Sequence, residues 1–296
     1  MIFVWYYIDM NILFARFKHS SPAIKTLLTF VVVGILAYVL PTKISEVDVA
    51  SILGATSIFY SILLGFYISA AMSNLSRLKT LTATETGALI AIHRIVALSL
   101  PEKKHETEEA IDKYLIKRFD YEISEYTGPT TNEYFAIFDV LKGANTKSEG
   151  QGAALNYVAE AMYYVAQARR ELTIVGAKLL TKASWLILIT LSLIIVFSLF
   201  LMRDGSFESI IFTSFLATSA IMALFILQDV DGNLLGEEDF AIGTYQGVFA
   251  AIGRMHYYPS HFIKTGRYKP DVLEYRSGNS EHVTTITSKR SRRKKL

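Results

Sequence analysis

Long runs without charge divide this sequence and limit what it can fold into. Between Lys182 and Arg203 stands "ASWLILITLSLIIVFSLFLM", and between Glu208 and Asp229 stands "SIIFTSFLATSAIMALFILQ". Each holds 20 uncharged residues, the length an α-helix needs to cross a hydrocarbon core of roughly 30 Å. A third run carries no charge from Asp48 to Arg77, enough to span with tilt. A fourth, Thr26 to Leu40, stops at Pro41; at roughly 15 residues it is short for a full span, and Lys25 is placed to snorkel at its start. Charged residues make up 19% of the 296-residue chain and its mean hydropathy is +0.32. A soluble domain averages about 25% charge, so the chain reads as a membrane protein with a substantial polar part.

The connections set the expected orientation. "PTKISEVDVA" holds one Lys and two acids, and "RDGSFES" holds one Arg and two acids. Arg16, Lys18 and Lys25 precede the first run, Arg169, Arg170, Lys178 and Lys182 precede the third, and the chain ends "KRSRRKKL". The positive-inside rule then puts both termini and the long middle segment in the cytoplasm, which requires an even number of spans. The N-terminal "MIFVWYYIDMNILFARFKHS" has its first charge at Asp9 and its basic residues last, the reverse of a signal peptide. Trp5, Tyr6 and Tyr7 suit the headgroup boundary, so residues 1–25 read as an uncleaved interfacial helix, with a cleaved signal as the alternative. The organisation that follows is transmembrane helices 1 and 2 over 26–73, a cytoplasmic insert over 74–182, transmembrane helices 3 and 4 over 183–228, and an acidic turn with an aromatic segment over 229–280. A basic disordered tail covers 281–296; attraction of that tail to anionic headgroups is a second reading, and nothing upstream supports nucleic-acid binding.

No part of the insert alternates with period two for long, and helix-period apolar positions dominate. One helix continues from the second span through "RLKTLTATETGALIAIHRIVALSL" and halts at Pro101, with Leu81, Ala88, Ile92, Ile95 and Val96 on one face. A second runs from about Glu102 to Tyr126, a third covers "NEYFAIFDVLKGA", and a fourth starts near Ala153 and runs into the third span. The fold class is therefore all-α, a polytopic membrane protein of four transmembrane helices with a cytoplasmic helical bundle.

Few residues suggest chemistry. The chain has no cysteine, which removes disulfides, thiolate catalysis and Cys-ligated metals. The histidines His19, His93, His105, His256, His261 and His282 form no HExxH pair or other helical ligand spacing. No P-loop, GxGxxG or GxSxG is present, and Glu108–Glu109 and Glu237–Glu238 are adjacent, so on a helix they diverge. No enzyme activity, metal or cofactor is expected. No run has an ionisable residue in its interior, which argues against a proton relay, a coupled transporter or a voltage sensor. A channel with an apolar constriction, or a membrane scaffold, is left.

The second run carries two stripes. Ser57, Ser61, Gly65 and Ser69 recur every fourth residue and share a helix face; small residues so spaced let membrane helices approach closely. Ile58, Ile62 and Phe66 run beside them. Either the small stripe packs on a neighbour and the apolar one faces lipid, or subunits pack through the small stripe and the apolar one lines a narrow pore that gates by dewetting.

"SILLGFYIS" resembles the pore-helix motif of bestrophins, anion channels whose second transmembrane helix carries Ser-Phe-x-Leu-Gly-Phe-Tyr-Val. Ser61, Leu64, Gly65, Phe66 and Tyr67 match, and Ile62 replaces the first Phe. "NLLGEEDF" is similar to the bestrophin Asn-Pro-Phe-Gly-Glu-Asp segment at Asn233, Gly236, Glu237 and Asp239, with Leu234 and Leu235 where Pro and Phe would stand. The layout looks like that of bacterial bestrophin-like proteins of about this length, in which a Glu follows the second span; Glu85 of "ETGAL" stands there. The resemblance implies a homo-oligomer, by analogy a pentamer, in a bacterial inner membrane, conducting chloride-type anions past a neck at Ile58, Ile62 and Phe66. The rival function is a non-conducting scaffold or sensor acting through its cytoplasmic bundle. In animal bestrophins the acidic segment helps bind calcium. Here Asp229, Asp231, Glu237, Glu238 and Asp239 cluster, but position twelve of an EF-hand starting at Asp229 would be Phe240. A capped turn at the membrane surface is the expected reading, and a cation site the alternative.

Overall fold

A computed structural model describes residues 22–40, 48–144, 148–231, 242–264, 270 and 272–287. The helices are α1 (Pro22–Val39), α2 (Val49–Ser99), α3 (Lys104–Arg118), α4 (Thr131–Asp139), α5 (Glu149–Val175), α6 (Lys182–Leu201), α7 (Phe207–Asp231), α8 (Ile242–Ala251) and α9 (Ser260–Lys264). Strands β1 (Tyr257–Pro259), β2 (Glu274–Gly278) and β3 (Val283–Thr287) follow, α9 lying between the first two. The chain forms two compact units, residues 1–71 with 179–232, and residues 72–178 with 233–296.

Among the described residues, α2, α6 and α7 are long and apolar enough to cross a membrane. Helix α1, at 18 residues, is about 27 Å long, just short of the core thickness. In the first unit α1 runs antiparallel to α7. At one end Lys25 Nζ lies 3.1 Å from both carboxylate oxygens of Asp229; at the other Arg203 Nη2 donates to the Leu40 carbonyl at 2.9 Å. Lys25 is thus buried in an ion pair rather than snorkelling. Between these charged ends apolar side chains pack beside small buried hydroxyls: Leu188, Ala217 and Leu227 are fully buried, Thr29, Thr213, Ser214 and Thr218 are buried too, and the Phe30 and Phe215 rings are 4.8 Å apart. Tyr60 of α2 donates to the Ala220 carbonyl at 2.6 Å, and Tyr67 to Ser184 Oγ at 3.1 Å.

In the second unit the remainder of α2 packs with α3, α5 and α8 around Leu89, Ile92, Ile111, Tyr114, Leu115, Val165, Tyr245 and Phe249. Helix α2 stops at Ser99 because Pro101 follows, and proline restricts the residue before it to extended backbone. Three boundaries differ from the sequence expectation. The helix expected over 102–126 is a 3₁₀ turn and α3, which ends at Arg118 and leaves turns through Tyr126. That expected over "NEYFAIFDVLKGA" ends at Asp139. The helix expected to run into the third span is broken after Val175. Gly176 sits so close to Ile123 that a Cβ there would be 2.7 Å from its methyl. Beyond the break, Thr181 Oγ1 accepts from Ser184 N at 3.1 Å and starts α6 anew.

The three-stranded sheet adds a small β element to a chain read as all-α. β1 pairs parallel with β2, and β2 antiparallel with β3. The hairpin turn requires Gly278: at φ 154°, a Cβ there would stand 1.8 Å from the His282 carbonyl oxygen. Strands of three to five residues are too short for a period-two signal to stand out. β3 also takes in residues 283–287 of the segment expected to be a disordered tail. Residues 288–296 of that tail, residues 1–21 of the interfacial helix expected over 1–25, and the turn residues Glu237, Glu238 and Asp239 lie outside the described residues, while residues 22–25 belong to α1.

Candidate functional site

The side chains that a pore reading requires lie on the first half of α2. At about 100° per residue, Leu53, Tyr60, Leu64, Tyr67 and Ala71 share one side of the helix. That side packs into the first unit's core. Ile62 is two residues from Tyr60, hence about 200° around the helix. Ile58, Ile62 and Phe66 are 62%, 64% and 66% exposed, in line and turned away from the chain's own helices. The small stripe flanks them. Ser57 is half-buried, Ser61, Gly65 and Ser69 are exposed, and a Cβ on Gly65 would meet nothing within 4 Å. Apart from half-buried Ser57, neither stripe is covered by described residues of its own chain, so both faces are available to lipid or to another copy.

The acidic turn is divided in the structure. Asp229 pairs with Lys25. Asp231 accepts from the backbone N–H groups of Leu179 and Leu180 at 2.9 and 3.1 Å, holding the entry to α6. Both carboxylates thus make contacts that support the fold. Among the described residues no three His, Asp or Glu side chains come together as metal ligands. His256 lies edge-on to the Tyr258 ring at 6.4 Å, and His261 lies against the Phe262 ring at 4.2 Å.

Further along α2, the sequence places a carboxylate in an apolar stripe. Glu85 follows Leu78 and Leu81 and precedes Leu89 and Ile92 on the buried face, and it is itself fully buried. The phenols of Tyr114 and Tyr245 donate to its two carboxylate oxygens, and Tyr126 donates to Oε1 at 3.4 Å. Burial pushes all three phenols well above the ordinary tyrosine range, and the Glu85 charge adds to this, so they stay protonated and can donate. Tyr114 and Arg118 are four apart on α3 and share a face. Arg118 Nε stands 3.6 Å from Glu85 Oε2, too far for a hydrogen bond but close enough to balance its charge. Its guanidinium lies 4.1 and 4.6 Å from the ring centres of Tyr245 and Tyr126, a cation–π arrangement that partly replaces lost hydration. Beside it, Arg169 Nη2 donates to the Thr127 carbonyl and to Thr130 Oγ1, each at 2.8 Å, with the Tyr134 ring 4.3 Å from its guanidinium.

This cluster ties α3, α8, the turn after α3 and α5 to the long helix α2. Closed to solvent, it positions elements rather than reacting. Its Tyr and Arg members carried no sequence signal, since a tyrosine 160 positions from its carboxylate reads as an ordinary aromatic. Glu85 did carry one: an acid at a core position of a periodic apolar stripe.

A family model described as a Bestrophin-like domain matches residues 24–234. The fold is similar to a crystal structure of a bacterial bestrophin homolog from Klebsiella pneumoniae carrying a point mutation, at a TM-score of 0.58 and 14% identity, over 79% of this chain and all of that one. Crystal structures of two single-substitution membrane proteins match equally, at TM-scores of 0.58, identities of 14% and 15%, 79% of this chain and 99% and 100% of theirs. No curated protein sequence matches.

Proposed function

We propose that this chain, which belongs to the bestrophin-like family, is one subunit of a ring-shaped membrane channel that passes small anions without coupling to another solute. Its channel-type membrane character comes with the family; the ring, the anion preference and the neck are the proposal. The observation that carries it is the line of Ile58, Ile62 and Phe66, exposed on the side of α2 turned from its own chain and flanked by an uncovered small-residue face. Small residues let neighbouring copies of α2 approach closely. Once they do, the adjacent apolar side chains converge on the axis as a constriction that empties of water when narrow. In this reading α1 also crosses, giving four spans in a bacterial inner membrane with both termini and the second unit cytoplasmic.

The test is anion flux from the full-length protein reconstituted in liposomes. Wild-type protein should release chloride severalfold faster than protein-free vesicles. No flux from wild type, and none from the double variant Ile62→Ala/Phe66→Ala, would overturn the proposal.

A further inference from the structure

We infer that strand β3 pairs edge to edge with β3 of a second copy of this chain, antiparallel and centred on Thr285. The contact is isologous and closes on two chains. It is therefore distinct from the repeating contact that a ring needs, and it stands whether or not the ring does.

The sheet order β1-β2-β3 leaves two edges. Buried Gln246 of α8 closes the β1 edge: its Nε2 donates to the Tyr257 carbonyl at 2.6 Å, and its Oε1 accepts from Tyr257 N at 3.0 Å. The β3 edge has no such cover. All five of its residues, Val283–Thr287, are exposed, and no described residue pairs with their outer side. The strand is β-branched throughout and holds no proline, charge or bulge, three of the devices that keep an edge from pairing.

The hydrogen-bond phase of the hairpin sets the register. Asn279 and His282 exchange both backbone bonds, at 3.1 and 3.2 Å. Bonded and non-bonded pairs alternate along an antiparallel ladder, so Ser277–Thr284 and Tyr275–Ile286 are the bonded pairs beyond it. Val283, Thr285 and Thr287 therefore turn their N–H and C=O groups outward. A second β3 bonds through the same three positions, and only centring on Thr285 uses them all. Thr285 then stands opposite Thr285, and each Val283 opposite the other copy's Thr287, for about six hydrogen bonds. Charge favours the same orientation. The chain continues past Thr287 as "SKRSRRKKL", with six Lys and Arg. Antiparallel pairing directs it toward the hairpin turn of the second copy. There Asp120 and Glu281 line a polar hollow, and Glu281 stands in no salt bridge among the described residues. Parallel pairing would set two basic segments side by side.

A cysteine-free chain makes the register testable. Opposed residues of a bonded pair have Cα atoms about 5.5 Å apart, within disulfide reach. Residues four positions out of register are about 14 Å apart along the strand, beyond it. Full-length protein in mild detergent is oxidised and run without reductant. Thr285→Cys should give a two-chain band that reductant removes. Val283→Cys and Thr287→Cys should each give severalfold less, and co-expressing those two variants should restore the band. Adding Thr285→Pro to both should abolish it, because proline removes an outward N–H and leaves the bonds to β2 intact. No band from Thr285→Cys, an equal band from Val283→Cys or Thr287→Cys alone, or no gain on co-expression would each overturn the inference. So would a mixed band that survives Thr285→Pro.

Discussion

Replacing Glu85 with alanine should destabilise the protein by about 3–5 kcal/mol, the usual cost of removing one member of a buried ion pair. The carboxylate accepts from Tyr114, Tyr126 and Tyr245 and balances Arg118, all in a fully buried site. Alanine strands the phenols and leaves a buried guanidinium whose Nε and Nη2 already find no hydrogen-bond acceptor among the described residues. Glu85→Gln keeps the shape and one acceptor oxygen but not the charge, so it should fall between wild type and alanine. The double variant Glu85→Leu/Arg118→Leu should lose less than the sum of the two single changes, by about 0.5–3 kcal/mol, because the second change removes the stranded charge. Thermal unfolding of the detergent-solubilised protein measures all five variants, the two single leucine changes included, against wild type. A Glu85→Ala protein that melts with wild type would show that the cluster does not hold α3 and α8 to α2.

The second large effect is expected on conduction. Ile62→Ala/Phe66→Ala removes the bulk of the proposed constriction without touching the side of α2 that packs on its own chain. A wider, wetter neck should raise liposome chloride flux about tenfold, equivalent to about 1.4 kcal/mol from the barrier. Stability should barely move, because both side chains are mostly exposed within the subunit. An unchanged flux in a folded variant would take these two side chains out of the conducting path.

These expectations draw on features with different visibility in the sequence. Helix α2 was readable end to end, because nothing breaks it between Asp48 and Pro101 and proline ends it. The apolar and small stripes were equally readable, since helical spacing is a local property. The break between α5 and α6 was not. It depends on a glycine pressed against Ile123, a residue 53 positions away, and on a threonine cap inside an otherwise helix-compatible run. The Lys25–Asp229 pair spans 204 positions, and the partners of Glu85 lie 29 to 160 positions from it. Such pairings are fixed by packing, and sequence periodicity carries no record of them. The acidic turn shows the same limit: its carboxylates cluster in sequence, yet Asp229 and Asp231 each bind an element distant in sequence.

If the subunits form the proposed ring, Ile58, Ile62 and Phe66 face a water-filled path rather than lipid. Because the chain has no cysteine of its own, single Ile62→Cys and Phe66→Cys variants can be reconstituted and treated with a charged, membrane-impermeant thiol reagent during flux. Modification at either position should cut chloride flux to a small fraction of its untreated value, while a cysteine at Leu193, exposed on α6, a helix that carries none of the neck residues, should leave flux unchanged. Full flux after treatment at both neck positions, or equal loss at Leu193→Cys, would contradict it.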